Sequence, residues 1–437
     1  MTTLLYLLGV FVFVLALVVS VALHEMGHMI PAKRFGARVS QFFVGFGTTV
    51  WSRQKGETEY GVKALPLGGY VKIVGMLPPD PKGDPAVLRQ SSTGFFSQLI
   101  SDARTAEAEH VRPEDADRLF YKLTWWKKVI VMAAGPSVNI LIAFLLFWGI
   151  FATVGNARDE HATLKVDDVS PCIVPAAETG RACTANDPAT PAYQAGIRAG
   201  DVIDSFNGTT VHSWEQLSVL IRANGDDKAV IGYTRDGVEK TVETSTVVTP
   251  RPKSTTDDSL VKVGFLGVQP VTEIPTGGPI YTLRQMGEMT KNTAEAFLQM
   301  PVKVWGVAKA IVGVEPRDPE SPVSIVGGGR LAGEVVSEHD TTIQDKIVFL
   351  VVLVAGFNFF VGMFNFIPLL PLDGGHIAGA LYEGLRRGIA RLFGRPDPGF
   401  VDIAKLMPIA YVGAGALMLM GVVLIVADLV VPLHVTG

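Results

Sequence analysis

Long apolar stretches alternate with polar segments along this chain. Four of them reach the roughly 20 residues that a helix needs to cross a bilayer. They are Leu4–Ile30, Val129–Val154, Ile347–Leu370 and Met407–Val431. Of the 437 residues 48% are hydrophobic and only 18% are charged, a balance typical of membrane proteins. The pattern predicts a polytopic α-helical membrane protein with four transmembrane helices.

The spans and the segments between them predict eight regions. These are 1–32, the first span; 33–128, a cytoplasmic-side region with strand-like sequence at about 40–75; 129–155, the second span; 160–250, an α/β domain; 251–345, a linker and amphipathic helix; 346–376, the third span; 377–405, a connection; and 406–432, the fourth span. The first span has no basic segment before it and no small-residue cleavage site after it, so we expect a retained anchor.

Basic residues near the span ends predict the orientation, because cytoplasmic flanks are enriched in lysine and arginine. They follow the first span, precede the second and fill the connection between the third and fourth, whereas acidic residues precede the third. We therefore expect both termini and residues 156–345 outside the cell, with the end of the first span towards the cytoplasm. The net charge of −4 gives no reason to expect a nucleic-acid partner.

The region after the first span begins with strand-like sequence. Tyr60–Ala64 and Tyr70–Ile73 alternate with period two, and turn signals occur at Gln54-Lys55-Gly56 and at Gly68-Gly69. The following stretch, Leu77–Arg118, is rich in proline and then in charge, and is interpreted as a linker or a loosely attached helix.

The segment between the second and third spans contains a compact α/β pattern. It comprises a short helix at Tyr193–Gly200, a strand at Val202–Phe206, a helix opened by a Ser213/Gln216 capping box, and strands Ala229–Thr234 and Val238–Val248 around an Asp236-Gly237 turn. With Ala195–Ile203 and Asn207-Gly208, this pattern resembles a PDZ domain of the bacterial periplasmic type, although a spacer that binds nothing stays open. Gly277–Val314 has helical spacing and is expected to lie on the membrane surface or pack on the bundle.

Cys172 and Cys183 are the only cysteines, and both fall in the predicted outside segment. An oxidising location permits a disulfide, whose short loop would contribute roughly 2–3 kcal/mol. Two free thiols in one loop are the alternative.

His24-Glu25-Met26-Gly27-His28 lies at the end of the first apolar stretch. Histidines at i and i+4 lie on one face of a helix and can bind a single metal ion, and the glutamate between them is a candidate general base. The alternative is a helix end with stray polar residues. That alternative is weakened because each ionisable side chain in hydrocarbon costs about 2.5–3.5 kcal/mol.

A catalytic zinc site needs a third protein ligand, and Asp373 at the end of the third span is the best candidate. Pro368 and Pro371 should break the helix there. An ordinary Asp-Gly turn is the alternative. His376 could reach the same cavity, but a helix-start or surface position is the preferred interpretation. Asn139, in the second span, is interpreted as a helix–helix packing residue.

The arrangement of motifs resembles the site-2 protease family of intramembrane zinc metalloproteases, in particular the bacterial regulator-of-sigma-E protease type. The resemblance rests on His24-Glu25-x-x-His28 in the first span and on Asn365-x-x-Pro368-x-x-x-Leu372-Asp373-Gly374 in the third. It extends to Gly68-Gly69-Tyr70-Val71 and to the PDZ-like segment. The order of these parts matches the family over nearly the whole chain.

The resemblance implies that Zn²⁺ is bound by His24, His28 and Asp373, with Glu25 as catalytic base. It also implies that Asn365 engages the substrate backbone and that Gly68, Gly69 and Tyr70 belong to a membrane-reentrant β-loop. The implied substrates are single-span proteins of the bacterial inner membrane already trimmed outside, such as anti-sigma factors and signal-peptide remnants. Some relatives have two PDZ domains, whereas one signature is found here.

Two other functions stay open at the level of sequence. A non-catalytic membrane scaffold would use the PDZ-like domain to gather partners and would not need Glu25. A metal or proton transporter could also place histidines and an aspartate in spans, but transporters usually show internal repeats and polar residues in several spans. The second and fourth spans here have almost none.

Overall fold

The structure is a computed structural model that describes residues 2–78, 104, 111–175, 178, 181–184, 186–254 and 257–433. The chain divides into two compact units, one formed by Met1–Ile150 with Gly277–Gly437 and the other by Phe151–Thr276. Much of the predicted linker or helix over Leu77–Arg118 lies outside the described residues.

Nine α-helices occur in the described part of the chain. They are α1 (Thr2–Arg34), α2 (Trp125–Thr153), α3 (Pro191–Gln194), α4 (Trp214–Ala223), α5 (Pro279–Ile311), α6 (Ile325–Ser337), α7 (Ile343–Asn365), α8 (Asp373–Leu392) and α9 (Met407–Val430). Four helical segments are long and apolar enough to span a membrane, namely α1, α2, α7 and Ile403–Val430, which includes α9. The chain thus has the four apolar helices that its hydropathy predicts.

The third predicted span differs from the structure at its inner end. Helix α7 ends at Asn365, short of the predicted Leu370, and a non-helical segment separates it from α8. Pro368 and Pro371 lie in this segment, and proline cannot donate the backbone hydrogen bond that an α-helix requires. The break therefore confirms the prediction from the prolines. It also places Asp373 in the first turn of a new helix, α8, most of which lies in the segment 377–405 that the sequence analysis described only as a connection.

Two helices of the first unit line the apolar bundle. In α6 the small residues Ala332 and Gly333 allow close packing on α1, where Phe13 and Leu17 form a buried cluster with Ala332. This helix was not predicted. In α5, Val307 packs against Leu424 and Ala427 of α9. The sequence analysis predicted that Gly277–Val314 lies on the membrane surface or packs on the bundle, and the structure shows that it packs on the bundle.

A long hairpin follows the first span. It consists of β1 (Val39–Lys55) and β2 (Thr58–Ile73), joined at the predicted Gln54-Lys55-Gly56 turn. The hairpin folds back on itself, so that Phe43 lies opposite Gly61 on one side and opposite Tyr70 on the other. The chain reverses direction between Val62 and Gly69, which both pair with Val44, and Gly68 has a φ of +101° there. The turn signal at Gly68-Gly69 is therefore confirmed, although both glycines are part of β2.

The second unit is built on a six-stranded sheet. Its strands are β3 (His161–Val169), β4 (Val202–Phe206), β5 (Thr209–Thr210), β6 (Lys228–Arg235), β7 (Val238–Ser245) and β10 (Val268–Glu273), in the order β10-β3-β4-β6-β7 with β5 on β4. A separate hairpin pairs β8 (Val247–Ser254) with β9 (Asp257–Phe265). Ile203, Phe206, Leu217 and Ile231 are fully or almost fully buried in the core between sheet and helices.

Local signals predicted β4, α4 and β6 close to their bounds but not β3, β5, β9 and β10. The predicted helix over Tyr193–Gly200 is wrong, because α3 covers only Pro191–Gln194. Ser213 caps α4 by accepting a hydrogen bond from the Gln216 backbone N–H at 3.2 Å, which confirms the capping box. The predicted strand over Val238–Val248 is wrong in its length. It divides into β7 and β8 because the Thr246 N–H bonds to the Asp227 carbonyl instead of continuing the ladder. The compact unit also extends beyond the predicted 160–250, since β10 pairs with β3. Cys172 and Cys183 are joined by a disulfide in this unit.

Candidate metal centre

His24 and His28 lie one helical turn apart in the C-terminal half of α1, the half that the sequence analysis predicts to face the cytoplasm. Their Nε2 atoms are 3.2 Å apart, and the residues are only 9% and 4% exposed. An α-helix places residues i and i+4 on one face, so the spacing alone accounts for the two rings facing one point. The structure thus forms the histidine pair that the motif predicts.

Asp373 reaches the same point from a distant part of the chain. Its Oδ2 atom lies 3.4 Å from His24 Nε2 and 3.3 Å from His28 Nε2. This oxygen is buried and accepts no hydrogen bond within the described part of the chain. A buried carboxylate oxygen without a donor is costly, and a cation bound among the three atoms would remove that cost.

The distances among these three atoms fit a tetrahedral metal ion. With ligand bonds of about 2.0–2.1 Å, the ligand atoms of a tetrahedral zinc site lie about 3.3–3.4 Å apart. His24 Nε2, His28 Nε2 and Asp373 Oδ2 are separated by 3.2–3.4 Å. They are the one group of three or more potential metal ligands found among the described residues.

The Nδ1 atoms of both imidazole rings, on the side opposite Nε2, also have hydrogen-bond partners. His28 Nδ1 lies 2.8 Å from the Val131 carbonyl oxygen, and His24 Nδ1 lies 2.6 Å from Asn139 Oδ1. Both partners belong to α2. A carbonyl oxygen only accepts, so His28 Nδ1 must carry the hydrogen, which leaves the Nε2 lone pair directed at the centre of the site. Sequence analysis missed the Val131 contact and interpreted Asn139 only as a packing residue, although an amide in an apolar span is itself a signal of function.

Glu25 faces a cavity of about 450 Å³ that also contains the histidine pair and Asp373. Its carboxylate accepts a hydrogen bond from the backbone of Val71 in β2. A base located beside a candidate metal-binding cluster, in a cavity large enough for a short stretch of polypeptide, has the geometry required for proton transfer during hydrolysis.

The other predicted site residues line the same cavity. Gly68, Gly69 and Tyr70 approach it from β2, and Asn365 approaches it from the end of α7. Asn365 donates one of its amide hydrogens to the Val361 carbonyl at 3.1 Å. The hydroxyl of Tyr70 lies 3.4 Å from Gln41 Oε1, within the hairpin.

His376 lies in the first turn of α8 and lines the cavity as well. Its Nδ1 atom is buried and has no hydrogen-bond partner in the described residues. The helix-start position is therefore confirmed and a surface position is wrong, but His376 also reaches the cavity, which the sequence analysis had taken as the less favoured interpretation.

Comparison with known proteins gives consistent results over most of the chain. Residues 12–395 match the model of peptidase family M50. The chain is 33% identical to the zinc metalloprotease Rip1 of Mycolicibacterium smegmatis and 31% identical to that of Mycobacterium tuberculosis, with at least 98% of each chain covered. A putative zinc metalloprotease of Mesorhizobium japonicum is 28% identical over 87% of this chain and 89% of its own length. The chain therefore belongs to peptidase family M50, the site-2 protease family that its motifs resemble.

Proposed function

We propose that this M50 peptidase is a zinc metalloendopeptidase that hydrolyses a peptide bond in the transmembrane segment of a single-span membrane protein. The observation that carries the proposal is the convergence of His24 Nε2, His28 Nε2 and Asp373 Oδ2, at mutual distances of 3.2–3.4 Å, in the cavity that contains Glu25. These three residues would hold the ion. When bound, zinc supplies a Lewis acid that polarises the scissile carbonyl and lowers the pKa of a water molecule towards about 7.

Glu25 is the proposed general base. It follows His24 directly on α1, so its side chain leaves the helix about 100° away from the ligand face and reaches the same cavity from one side. Its carboxylate would take a proton from the attacking water and return it to the leaving amine. No other carboxylate among the lining residues is available for this role, because Asp373 is assigned to the metal.

The substrate strand would lie along β2. Val39–Val44 pairs with Gly69–Ile73 on one side, and the opposite edge of this segment faces the cavity, where the Val71 backbone bonds to Glu25. A transmembrane helix satisfies its own backbone groups and must be extended before a peptide bond is accessible, and pairing with a strand edge supplies replacement hydrogen bonds. Asn365 retains one amide N–H beyond its bond to Val361, and this N–H would bind the substrate backbone or the oxygen that develops charge.

The second unit is proposed to act as a PDZ domain outside the cell. A sheet with two short helices and a capped α4 supports this assignment, as does the positive-inside distribution of lysine and arginine. In this arrangement the protein lies in the bacterial inner membrane with its active site towards the cytoplasm. The PDZ domain would admit only substrates already shortened outside, such as anti-sigma factors and signal-peptide remnants, in a stress response based on regulated intramembrane proteolysis.

The decisive experiment compares the detergent-solubilised full chain with its Glu25→Gln variant on a panel of shortened single-span reporters. Zinc content is measured on both proteins. We expect the variant to lose about 100- to 10,000-fold in cleavage rate while it retains zinc, because the substitution removes the base and no ligand. Glu288→Gln, at an exposed position of α5, is the matched control and should cleave like the wild type.

Three results would contradict the proposal. Loss of zinc in Glu25→Gln would assign this residue a ligand role, and undiminished cleavage would remove it from the mechanism. Failure of the zinc-loaded wild type to cleave any reporter would favour the scaffold function. The proposed filter is tested by attaching a folded domain to the outer end of a cleaved reporter, which should stop its cleavage. Equal rates with and without that domain would argue against a size filter.

A further inference from the structure

Three buried polar side chains lie behind His24, on the side away from the other ligands. Ser20 belongs to α1, Asn139 to α2 and Asn358 to α7, and they are 3%, 1% and 0% exposed. Polar groups inside a helical bundle are costly unless all their hydrogen bonds are satisfied. Their hydrogen bonds therefore show what each group must donate and accept.

The orientation of Asn358 is fixed by the backbone. Its Nδ2 atom donates to the carbonyl oxygen of Val354 at 2.8 Å. Because a carbonyl can only accept, the amide cannot be flipped, and its Oδ1 atom must face Asn139 and Ser20 as an acceptor. Ser20 donates its hydroxyl hydrogen to this oxygen.

The orientation of Asn139 follows from that of Asn358. Asn139 Nδ2 donates to Asn358 Oδ1 at 3.0 Å and to Ser20 Oγ at 3.1 Å, two oxygens that lie on the same side of the amide. Its Oδ1 atom is thereby turned towards His24 Nδ1, 2.6 Å away. An acceptor at this position requires the hydrogen of the His24 ring to be on Nδ1, so the lone pair is on Nε2, 3.4 Å from Asp373 Oδ2.

We infer that Ser20, Asn139 and Asn358 form a positioning network that fixes the tautomer and ring orientation of His24 for metal binding. The Val354 carbonyl fixes the amide of Asn358, which fixes the amide of Asn139, which in turn fixes the imidazole of His24. His28 obtains the same control directly from the Val131 carbonyl. The two histidines thus differ, because substitution of side chains can release His24 but leaves the backbone acceptor of His28 in place. This inference rests on the proposed zinc site.

The test measures zinc affinity by competition with a chelator on the full chain in detergent, independently of cleavage. We expect Asn139→Leu to bind zinc about 10- to 100-fold more weakly, as is typical when the outer partner of a ligating histidine is lost. Asn139→Asp keeps an acceptor for His24 and should stay closer to the wild type in affinity. It should lower thermal stability, because a carboxylate cannot donate to Ser20 or Asn358.

A double-mutant cycle distinguishes a connected network from independent packing effects. Asn358→Leu should weaken zinc binding less than Asn139→Leu does, and adding it to Asn139→Leu should weaken binding no further. Ile140→Ala is the control. Ile140 packs against Gly362 of α7, so its truncation perturbs the same α2–α7 contact and should lower thermal stability without changing zinc affinity.

Wild-type zinc affinity in the folded Asn139→Leu variant would overturn the inference, and so would fully additive effects of the two asparagine substitutions. If Asn139→Leu does not fold, the zinc affinities of Asn139→Asp and Asn358→Leu, measured in the same way, decide whether the inference holds. Absence of zinc binding by the wild type would instead refute the proposed metal site. The cobalt-substituted protein gives a second readout, since release of His24 should change its visible absorption spectrum.

Discussion

Gly135 of α2 lies directly against the imidazole of His28. A Cβ atom at position 135 would be 2.2 Å from His28 Nε2 and 2.5 Å from Cε1. On the facing helix, a Cβ at Gly27 would be 2.9 Å from both the Ala134 oxygen and the Gly135 Cα. Small residues on both helices thus let the backbones approach closely, as is common in membrane bundles. This close approach brings the Val131 carbonyl within hydrogen-bonding distance of His28.

Gly135→Ala should therefore displace His28 from the metal-binding geometry. We expect zinc affinity and cleavage to fall at least about 100-fold, because a misplacement of about 1 Å has effects of that size on catalytic groups. The matched control is Gly149→Ala in the same helix, where a Cβ would meet no atom within 4 Å. Chelator competition and reporter cleavage measure both effects. Normal zinc affinity in Gly135→Ala would mean that the helices can separate without cost.

Substitution of Gly69 should impair cleavage without loss of zinc. A Cβ at this position would lie 3.0 Å from the Phe43 oxygen, 3.1 Å from Val21 Cγ1 and 3.3 Å from Glu25 Cγ. We expect a graded loss of kcat, about tenfold for Gly69→Ala and larger for Gly69→Val, because the added atoms push β2 away from the proposed base. Cleavage kinetics and zinc content are measured on the same samples. Thr49→Ala, at an exposed position of β1, is the control and should behave like the wild type. Equal activity of the alanine and valine variants would contradict this account.

The buried ion pair between Lys128 and Glu383 should hold α8, which begins with Asp373, against α2. Lys128 Nζ lies 2.7 Å from Glu383 Oε2, and Arg387 lies 3.2 Å from Oε1. Glu383→Leu leaves the buried Lys128 without its carboxylate and Arg387 with only Asp397, and should destabilise the protein by about 3–5 kcal/mol. Lys128→Met leaves Glu383 paired with Arg387 and should cost less. Unfolding in detergent measures both variants, and the reverse order of stability would disprove the assignment.

The second unit should lose stability in acid through Asp201. Burial raises the pKa of this carboxyl, but hydrogen bonds from Arg235 at 2.7 Å and from the Arg198 backbone outweigh it and hold the pKa below its ordinary value. The unfolded chain therefore binds the proton first. The contribution is fully present above about pH 4 and is lost as the pH falls towards the folded-state pKa. Fluorescence of a variant with Trp214 as its single tryptophan reports the unfolding, and Arg235→Gln should flatten the pH dependence. An unchanged slope in that variant would exclude Asp201 as the cause.

Local spacing predicted much of this protein correctly. Hydropathy identified the four apolar helices, because about 20 apolar residues are needed to cross hydrocarbon whatever surrounds them. The Ser213 cap and the proline-induced end of α7 were also predicted, since each depends on residues within one or two turns. The pairing of His24 with His28 needed only the period of the helix.

Other features depended on contacts between distant residues. The turn signal at Gly68-Gly69 did not say which strand the chain returns to, and only the fold pairs Gly69–Ile73 with Val39–Val44. The sequence analysis suggested a helix start at His376 but missed the length of α8, because the boundary predictions followed hydropathy and this helix is amphipathic. Asp373 was proposed from its place at the end of the third span and then by resemblance, and only the fold brings its oxygen within 3.4 Å of both histidines.

The sequence by itself determined which segments are long and apolar enough to cross a membrane and which histidines could share a metal ion, because both follow from composition and from helical periodicity. The tertiary structure alone decided that Asn139 faces His24 and that Gly135 lies against His28. The physical reason is that lipid tails are as apolar as the side chains they surround. Hydropathy therefore indicates that a helix is in the membrane but not which of its faces meets which neighbour, and the metal centre is built from those faces.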